Sequence, residues 1–151
     1  MATFRIFTLA NPNLSMSIRN DKVILATTNP NDPNQEWYKY EKYVQGEMDK
    51  MYYKAFALVS KGTSQAIKHT TGHVQHVELV HFNPNYVDNS LLWIKGADFV
   101  EGNSPIWSIW MLNNLDLVLA AEATNTKVFD WTLIKMLKWN DEVNQLWSTV
   151  C

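Results

Sequence analysis

The sequence predicts an all-β domain of three four-stranded units arranged with pseudo-threefold symmetry. Short runs rich in β-branched and aromatic residues recur between Asn, Pro, Gly and Asp, and few segments sustain a helical period. These runs group into three sets of four with a period of about 50 residues, the signature of an internally repeated fold. Each set closes on a tryptophan, in Asn34-Gln35-Glu36-Trp37, Ser90-Leu91-Leu92-Trp93 and Asn144-Gln145-Leu146-Trp147. One domain over 1–151 is expected, with units of about 1–48, 49–100 and 101–151.

In the first unit the strands are Phe4 to Thr8, Leu14 to Ile18, Lys22 to Ala26 and Gln35 to Tyr40, turned at Asn11-Pro12-Asn13 and Asn20-Asp21. The second unit offers Lys54 to Val59, Gln65 to Lys68, Val77 to His81 and Leu92 to Ile94, with Gly62, Gly72 and Asn83-Pro84-Asn85 in its turns. The third offers Ile106 to Leu112, Leu115 to Ala120, Thr132 to Leu137 and Gln145 to Thr149, with Asn113-Asn114 as a tight hairpin signal.

Charged residues are only 19% of the chain, the net charge is −2 and the pI about 6.0, so no basic field is available to hold a phosphate backbone. Nucleic acid is not an expected partner. Apolar runs such as Leu115 to Ala121 stop far short of the roughly 20 residues that span a bilayer, so no membrane partner is expected either. The start, Met1-Ala2-Thr3-Phe4-Arg5, lacks the features of a signal peptide, and the one cysteine, Cys151, permits no internal disulfide. These features fit a reducing cytoplasmic or nuclear setting, and Cys151 with an exposed tryptophan is compatible with a homodimer.

Two of the closing segments, Gln35-Glu36-Trp37 and Gln145-Leu146-Trp147, match the Q-x-W signature of ricin-B-type β-trefoils, and the middle one keeps only its Trp. Alternate residues of a strand share a face, so the Trp enters the common core while the Gln amide caps backbone groups nearby. The resemblance widens through Ala10-Asn11-Pro12, Ser17-Ile18-Arg19, Trp37-Tyr38-Lys39, Phe56-Ala57-Leu58-Val59, Gln65-Ala66-Ile67-Lys68-His69, Asn83-Pro84, Met111, Asn113-Asn114 and Trp139-Asn140. On these motifs the chain resembles the Euonymus-lectin-like domain, a family of ricin-B-like β-trefoil plant lectins. The resemblance implies a nucleocytoplasmic protein linked to stress responses that binds galactosides or mannose-rich glycans.

A trefoil sugar site needs a carboxylate for two vicinal hydroxyls, an aromatic face for the pyranose and an amide to complete the clamp. By the resemblance the carboxylate position falls at about Ala120 and the aromatic position at Leu137, with Lys135 where a Gln is usual. Trp139, Asn140, Asn144 and Gln145 remain as ligand-binding candidates. An altered or weakened glycan site is therefore expected, rebuilt where Asp116 or Glu122 supplies the carboxylate and Trp139 the plate.

The segments Ile106-Trp107-Ser108-Ile109-Trp110-Met111 and Phe129-Asp130-Trp131 carry aromatics where the resemblance implies polar or small residues. Trp107 and Trp110 lie three apart, so on a strand they face opposite ways. An alternative reading makes the chain a lectin-fold protein recruited as an enzyme or as the binder of an apolar small metabolite. Its pocket would lie between Trp107, Trp131 and Trp139, anchored by Asp116, Asp130 or Lys135. The four histidines, His69, His73, His76 and His81, crowd one stretch of the middle unit. On that alternative His69, His73, His76, Asp116 and Asp130 are the acid-base candidates. No recognised catalytic motif is present, and no cofactor or metal set is read from the sequence.

Overall fold

The protein is described here by a computed structural model covering residues 2–46, 49–69, 76–101, 104–112, 114–123 and 127–150, with backbone alone at 97–101 and 104. Its twelve strands are β1 (Arg5–Thr8), β2 (Asn11–Arg19), β3 (Lys22–Thr27), β4 (Trp37–Gln45), β5 (Tyr52–Ser60) and β6 (Gln65–His69), followed by β7 (Val77–His81), β8 (Trp93–Glu101), β9 (Ser104–Met111), β10 (Asn114–Ala121), β11 (Ile134–Lys138) and β12 (Trp147–Val150). Six of them, β1, β12, β9, β8, β5 and β4, pair in a ring. Reciprocal bonds between Phe4 and Trp37, at 3.0 and 2.9 Å, close it. A closed ring leaves few strand edges for stray pairing. The hairpins β2–β3, β6–β7 and β10–β11 gather at one end and meet through the bridges Ile24↔Leu133 and His76↔Lys135. This is a β-trefoil.

The three closing tryptophans hold corresponding places. Each is fully buried. Each indole Nε1 donates to a carbonyl on the second strand of its unit: Trp37 to Met16 at 3.0 Å, Trp93 to Ile67 at 3.1 Å and Trp147 to Leu119 at 3.1 Å. The indole thus fills the apolar axis while its one polar atom satisfies a carbonyl that would otherwise be buried bare.

The two glutamines of the Q-x-W segments do not stand on strands as the sequence suggested. They end the 3₁₀ turns Pro33–Gln35 and Val143–Gln145, and the strands begin at the tryptophans. In the first unit Asp32 caps the turn by accepting from the Asn34 N–H at 2.9 Å. Gln35 then accepts from Asn29 N–H and donates to the Thr27 carbonyl, so its amide ties the turn to the end of β3.

Asn11-Pro12-Asn13 is likewise not a turn: the chain reverses at Leu9 and Ala10, and these three open β2. The register passes from Thr8↔Asn11 to Phe7↔Ser15, so Pro12 and Asn13 bulge outward, where a proline costs no ladder bond, while Leu14 turns into the core. The last strand of the middle unit runs from Trp93 to Glu101, well past Ile94. Gly72, Asn113 and Cys151 lie outside the described residues.

Strand β5 is buried on both faces. Phe56 and Leu58 enter the central core, whereas Ala55, Ala57 and Val59 belong to a second cluster with Leu91, Leu92 and Leu112. Tyr38, Tyr40 and Phe82 pack on this outer cluster.

Candidate functional site

The positions that the resemblance marks lie on the β10–β11 hairpin. Its register sets Ala120 opposite Lys135. Ala120 is fully buried, and the Lys135 ammonium is paired with the Glu122 carboxylate. Leu137 is half-buried. Asn144 donates from Nδ2 to the Ala121 carbonyl at 2.8 Å, and its buried Oδ1 has no partner. Gln145 accepts from the Asn140 N–H at 2.8 Å and donates to the Lys138 carbonyl at 2.6 Å. Asn34 and Gln35 make the same contacts in the first unit, to Ile18, Asn29 and Thr27. Asn140, Asn144 and Gln145 therefore serve first as scaffold.

Farther along the same hairpin, Trp110, Leu115, Asp116, Lys138 and Trp139 line an open cleft of about 360 Å³. A bulge builds it. The β9–β10 register passes from Met111↔Asn114 to Trp110↔Val118, so Leu115 and Asp116 swing out as Pro12 and Asn13 do in the first unit. The Trp139 N–H donates to the Asp116 carbonyl at 3.3 Å, which holds the loop after β11 against that bulge. The Trp139 ring meets Trp110 with centroids 5.3 Å apart and planes tilted by 46°. Trp110 is itself held by donation from Nε1 to Ser108 Oγ at 2.7 Å.

The Asp116 carboxylate and the Lys138 ammonium are exposed, and neither has an ion-pair or side-chain hydrogen-bond partner among the described residues. The cleft thus offers an indole wall, a free acceptor pair and a free donor. Of the predicted substitutes, the structure brings Asp116 and Trp139 together and leaves Glu122 on Lys135. Trp110 is the wall residue that the candidate set lacked. Its signal was the spacing from Trp107, which told that the two face opposite ways without telling which is inside.

The pocket expected between Trp107, Trp131 and Trp139 does not form. Trp107 is 3% exposed and sits in the core edge-on to Phe56 at 5.8 Å, with the Lys39 and Lys95 ammonium groups 5.1 and 5.5 Å above its ring. Trp131 lies instead beside β2, under the Arg19 guanidinium at 4.7 Å. Asp130 accepts from the Thr27 N–H at 2.8 Å and pairs with Arg19 at 3.2 Å. The Thr27 N–H first, and Arg19 second, hold its carboxyl below the usual carboxylate range. Asp130 is a clasp between the third unit and the first.

The three described histidines do not converge either. His69 is buried edge-on to Trp93 at 5.1 Å, and its Nε2 contacts the Asn89 and Leu92 carbonyls at 2.9 and 3.2 Å. Two carbonyl partners require that Nε2 carry the proton. Burial pushes the His69 pKa down. Counted from the equivalent carbonyls of Met16, Ile67 and Leu119, it stands two residues on, where the other units have Ile18 and Ala121, and its ring reaches the 3₁₀ turn Asn89–Leu91. His76 is exposed on the bridge to Lys135, His81 is exposed at the other end of the β6–β7 ladder, and His73 lies outside the described residues. Among the described residues, no group of three His, Cys, Asp or Glu is placed to hold a metal ion. Asp116 and Asp130 belong to separate neighbourhoods, so the four described acid-base candidates, His69, His76, Asp116 and Asp130, form no common centre.

No protein-family profile matches the chain. It is 40% identical over 150 residues to the ricin B-like lectin EULS3 of Arabidopsis thaliana, covering 97% of the chain and 46% of that protein. It is 39% identical over 149 residues to the ricin B-like lectin R40G3 of rice, Oryza sativa subsp. japonica, covering 97% of the chain and 72% of that protein. The chain thus spans under half the length of EULS3 and nearly three quarters of R40G3. Among solved structures it is similar to the designed threefold-symmetric protein ThreeFoil, at a TM-score of 0.71 and 13% identity over 99% of the chain and 98% of that protein. It is also similar to the ricin B-like lectin of Macrolepiota procera in complex with lactose, at a TM-score of 0.70 and 13% identity over 98% of the chain and 94% of that protein.

Proposed function

The chain belongs to the ricin B-like lectins, and from that premise we propose that it binds carbohydrate in the cleft of Trp110, Asp116, Lys138 and Trp139. The observation that carries this reading is the junction of Trp139 with Asp116, which supplies a plate and a carboxylate where the positions implied by the resemblance supply neither. The apolar face of a pyranose lies on the Trp139 indole. The Asp116 carboxylate accepts from two vicinal hydroxyls, and Lys138 donates to a third oxygen. A stacked ring contributes about 0.5–1.5 kcal/mol, and hydrogen bonds to a charged group about 1.5–3 kcal/mol. Their sum, about 2–4.5 kcal/mol, is the scale of a millimolar site for a single sugar. With Ala120 and Lys135 in the positions implied by the resemblance, the preferred sugar differs from that of lectins with a carboxylate there.

A cytoplasmic or nuclear setting belongs to the same reading, supported by a fold that a single cysteine leaves without an internal disulfide. Glycan-array screening followed by calorimetry on the best ligand tests the proposal. Trp139→Ala and Asp116→Asn are each expected to lower the affinity about tenfold or more. Unchanged affinity in both variants would place the sugar elsewhere.

A further inference from the structure

The three hairpins that gather at one end leave a cavity of about 220 Å³ between them, on the pseudo-threefold axis. Its place follows from the register. Met16, Ile67 and Leu119, whose carbonyls receive the three indoles, pair across their hairpins with Leu25, Leu79 and Met136. Two residues before these partners stand Val23, Val77 and Ile134, three before stand Lys22, His76 and Leu133, and all six line the cavity. Val23 and Ile134 are buried and Val77 is half-buried, whereas Lys22 and His76 are exposed, so an aliphatic floor lies beneath a polar rim. The units do not close this end equally. The bridges Ile24↔Leu133 and Lys135↔His76 join equivalent positions, and the same rule would join Glu78 to Lys22, a bridge that is absent among the described residues.

Two opposite charges over an aliphatic floor define the ligand. Asp21, in the turn before Lys22, adds a carboxylate to the rim. Asn20 and Asp21 hold φ of 50° and 59°, the left-handed pair of a tight two-residue hairpin turn, which fixes where that carboxylate stands. Neither the Asp21 carboxylate nor the Lys22 ammonium has an ion-pair or side-chain hydrogen-bond partner among the described residues, whereas Lys135, across the bridge from His76, is held by Glu122. A simple carboxylate brought to Lys22 would face the like charge of Asp21, and a simple amine brought to Asp21 would face Lys22. A zwitterion meets an opposite charge at each. The volume is below the roughly 300–1,000 Å³ of sites for drug-sized ligands, so the molecule is small. An aliphatic α-amino acid has all three features: an ammonium for Asp21, a carboxylate for Lys22 and a branched apolar side chain for Val23, Val77 and Ile134.

We propose that this axial cavity binds a free α-amino acid with a branched aliphatic side chain, at a site apart from the sugar cleft. Methyl ¹H–¹³C spectra of the whole chain titrated with L-leucine test it, with glycine, isocaproate and isoamylamine as analogues that lack the side chain, the ammonium and the carboxylate in turn. Leucine is expected to shift the Val23, Val77 and Ile134 methyl signals along one saturation curve, and each analogue to bind at least about tenfold more weakly. Asp21→Asn keeps a residue suited to the left-handed turn and removes the charge, and Lys22→Gln removes the other. Each is expected to lower leucine affinity about tenfold or more, while the circular-dichroism melt of these exposed-site variants stays at the wild-type position. Absence of methyl shifts up to about 10 mM leucine, equal affinity for any of the three analogues, or wild-type leucine affinity in either variant overturns the proposal.

Discussion

Gly96 and Trp110 approach so closely that a methyl group on Gly96 would lie 2.2 Å from the indole Nε1 and 2.6 Å from Cδ1. The indole lies over bare backbone, and from there it reaches both Ser108 Oγ and the Trp139 ring. Any side chain on Gly96 must push a rigid ring off both partners. Gly96→Ala is therefore expected to weaken sugar binding about tenfold and to lose a stability of about 1–3 kcal/mol, as overpacking does. In the Trp110→Ala background the same change is expected to have little further effect on affinity, and a calorimetric double-mutant cycle reads this coupling.

The equivalent bonds from Trp37 to Met16, Trp93 to Ile67 and Trp147 to Leu119 make the three tryptophans interchangeable in energetic terms. Replacing each by Phe leaves a buried carbonyl without its donor and opens a small void. Each change is expected to cost about 2–4 kcal/mol, with the three values within about 1 kcal/mol of one another. Urea denaturation of the three variants provides the comparison.

His69 makes the middle unit the acid-sensitive one. Its folded pKa is lowered by burial, offset in part by the Asn89 and Leu92 carbonyls and by Asp88, so the unfolded chain takes up a proton at a pH where the folded chain does not. Stability is thus complete above the unfolded value of about 6.5 and declines as the pH falls through the lower folded value. Protonation would also charge Nδ1, which is buried and has no partner. Chemical denaturation at stepped pH from 7.5 to 5 is expected to show a loss that His69→Gln removes. Identical slopes in the two proteins would assign the acid sensitivity to other groups.

Trp131 is a non-glycine residue at φ 79°, a left-handed conformation that costs an L-residue about 1–2 kcal/mol. Its stacking under Arg19 returns about 0.5–1 kcal/mol. Trp131→Gly relieves the first and removes the second, so stability is expected to move by no more than about 1 kcal/mol. Sugar affinity should stay at the wild-type value, because Trp131 lies under Arg19 and not in the cleft. Thermal denaturation and calorimetry on this one variant check both statements.

The strands were legible because period-2 runs and Asn, Pro and Gly punctuation are local signals, and the core tryptophans because they close each unit alike. Asp116 and Trp139 could be nominated for the same reason: each is a chemically apt residue near a marked position. What stayed hidden depends on tertiary placement. Strand alternation puts Trp107 and Trp110 on opposite faces, but the closure of the ring decides that Trp107 is the buried one. Gln35 and Gln145 occupy 3₁₀ turns because their amides find backbone partners 5–8 residues earlier in the chain, a geometry that no strand pattern encodes. Asp130 clasps Thr27 across 103 residues of sequence, so nothing near it in the chain announces the role.

The most direct measurement is a ¹H–¹⁵N spectrum of the seven indole N–H groups during titration with the best glycan ligand. The Trp139 and Trp110 resonances are expected to shift together along one saturation curve, while those of Trp37, Trp93 and Trp147 hold still. Saturation with the Trp139 and Trp110 signals unmoved would contradict a sugar site in this cleft.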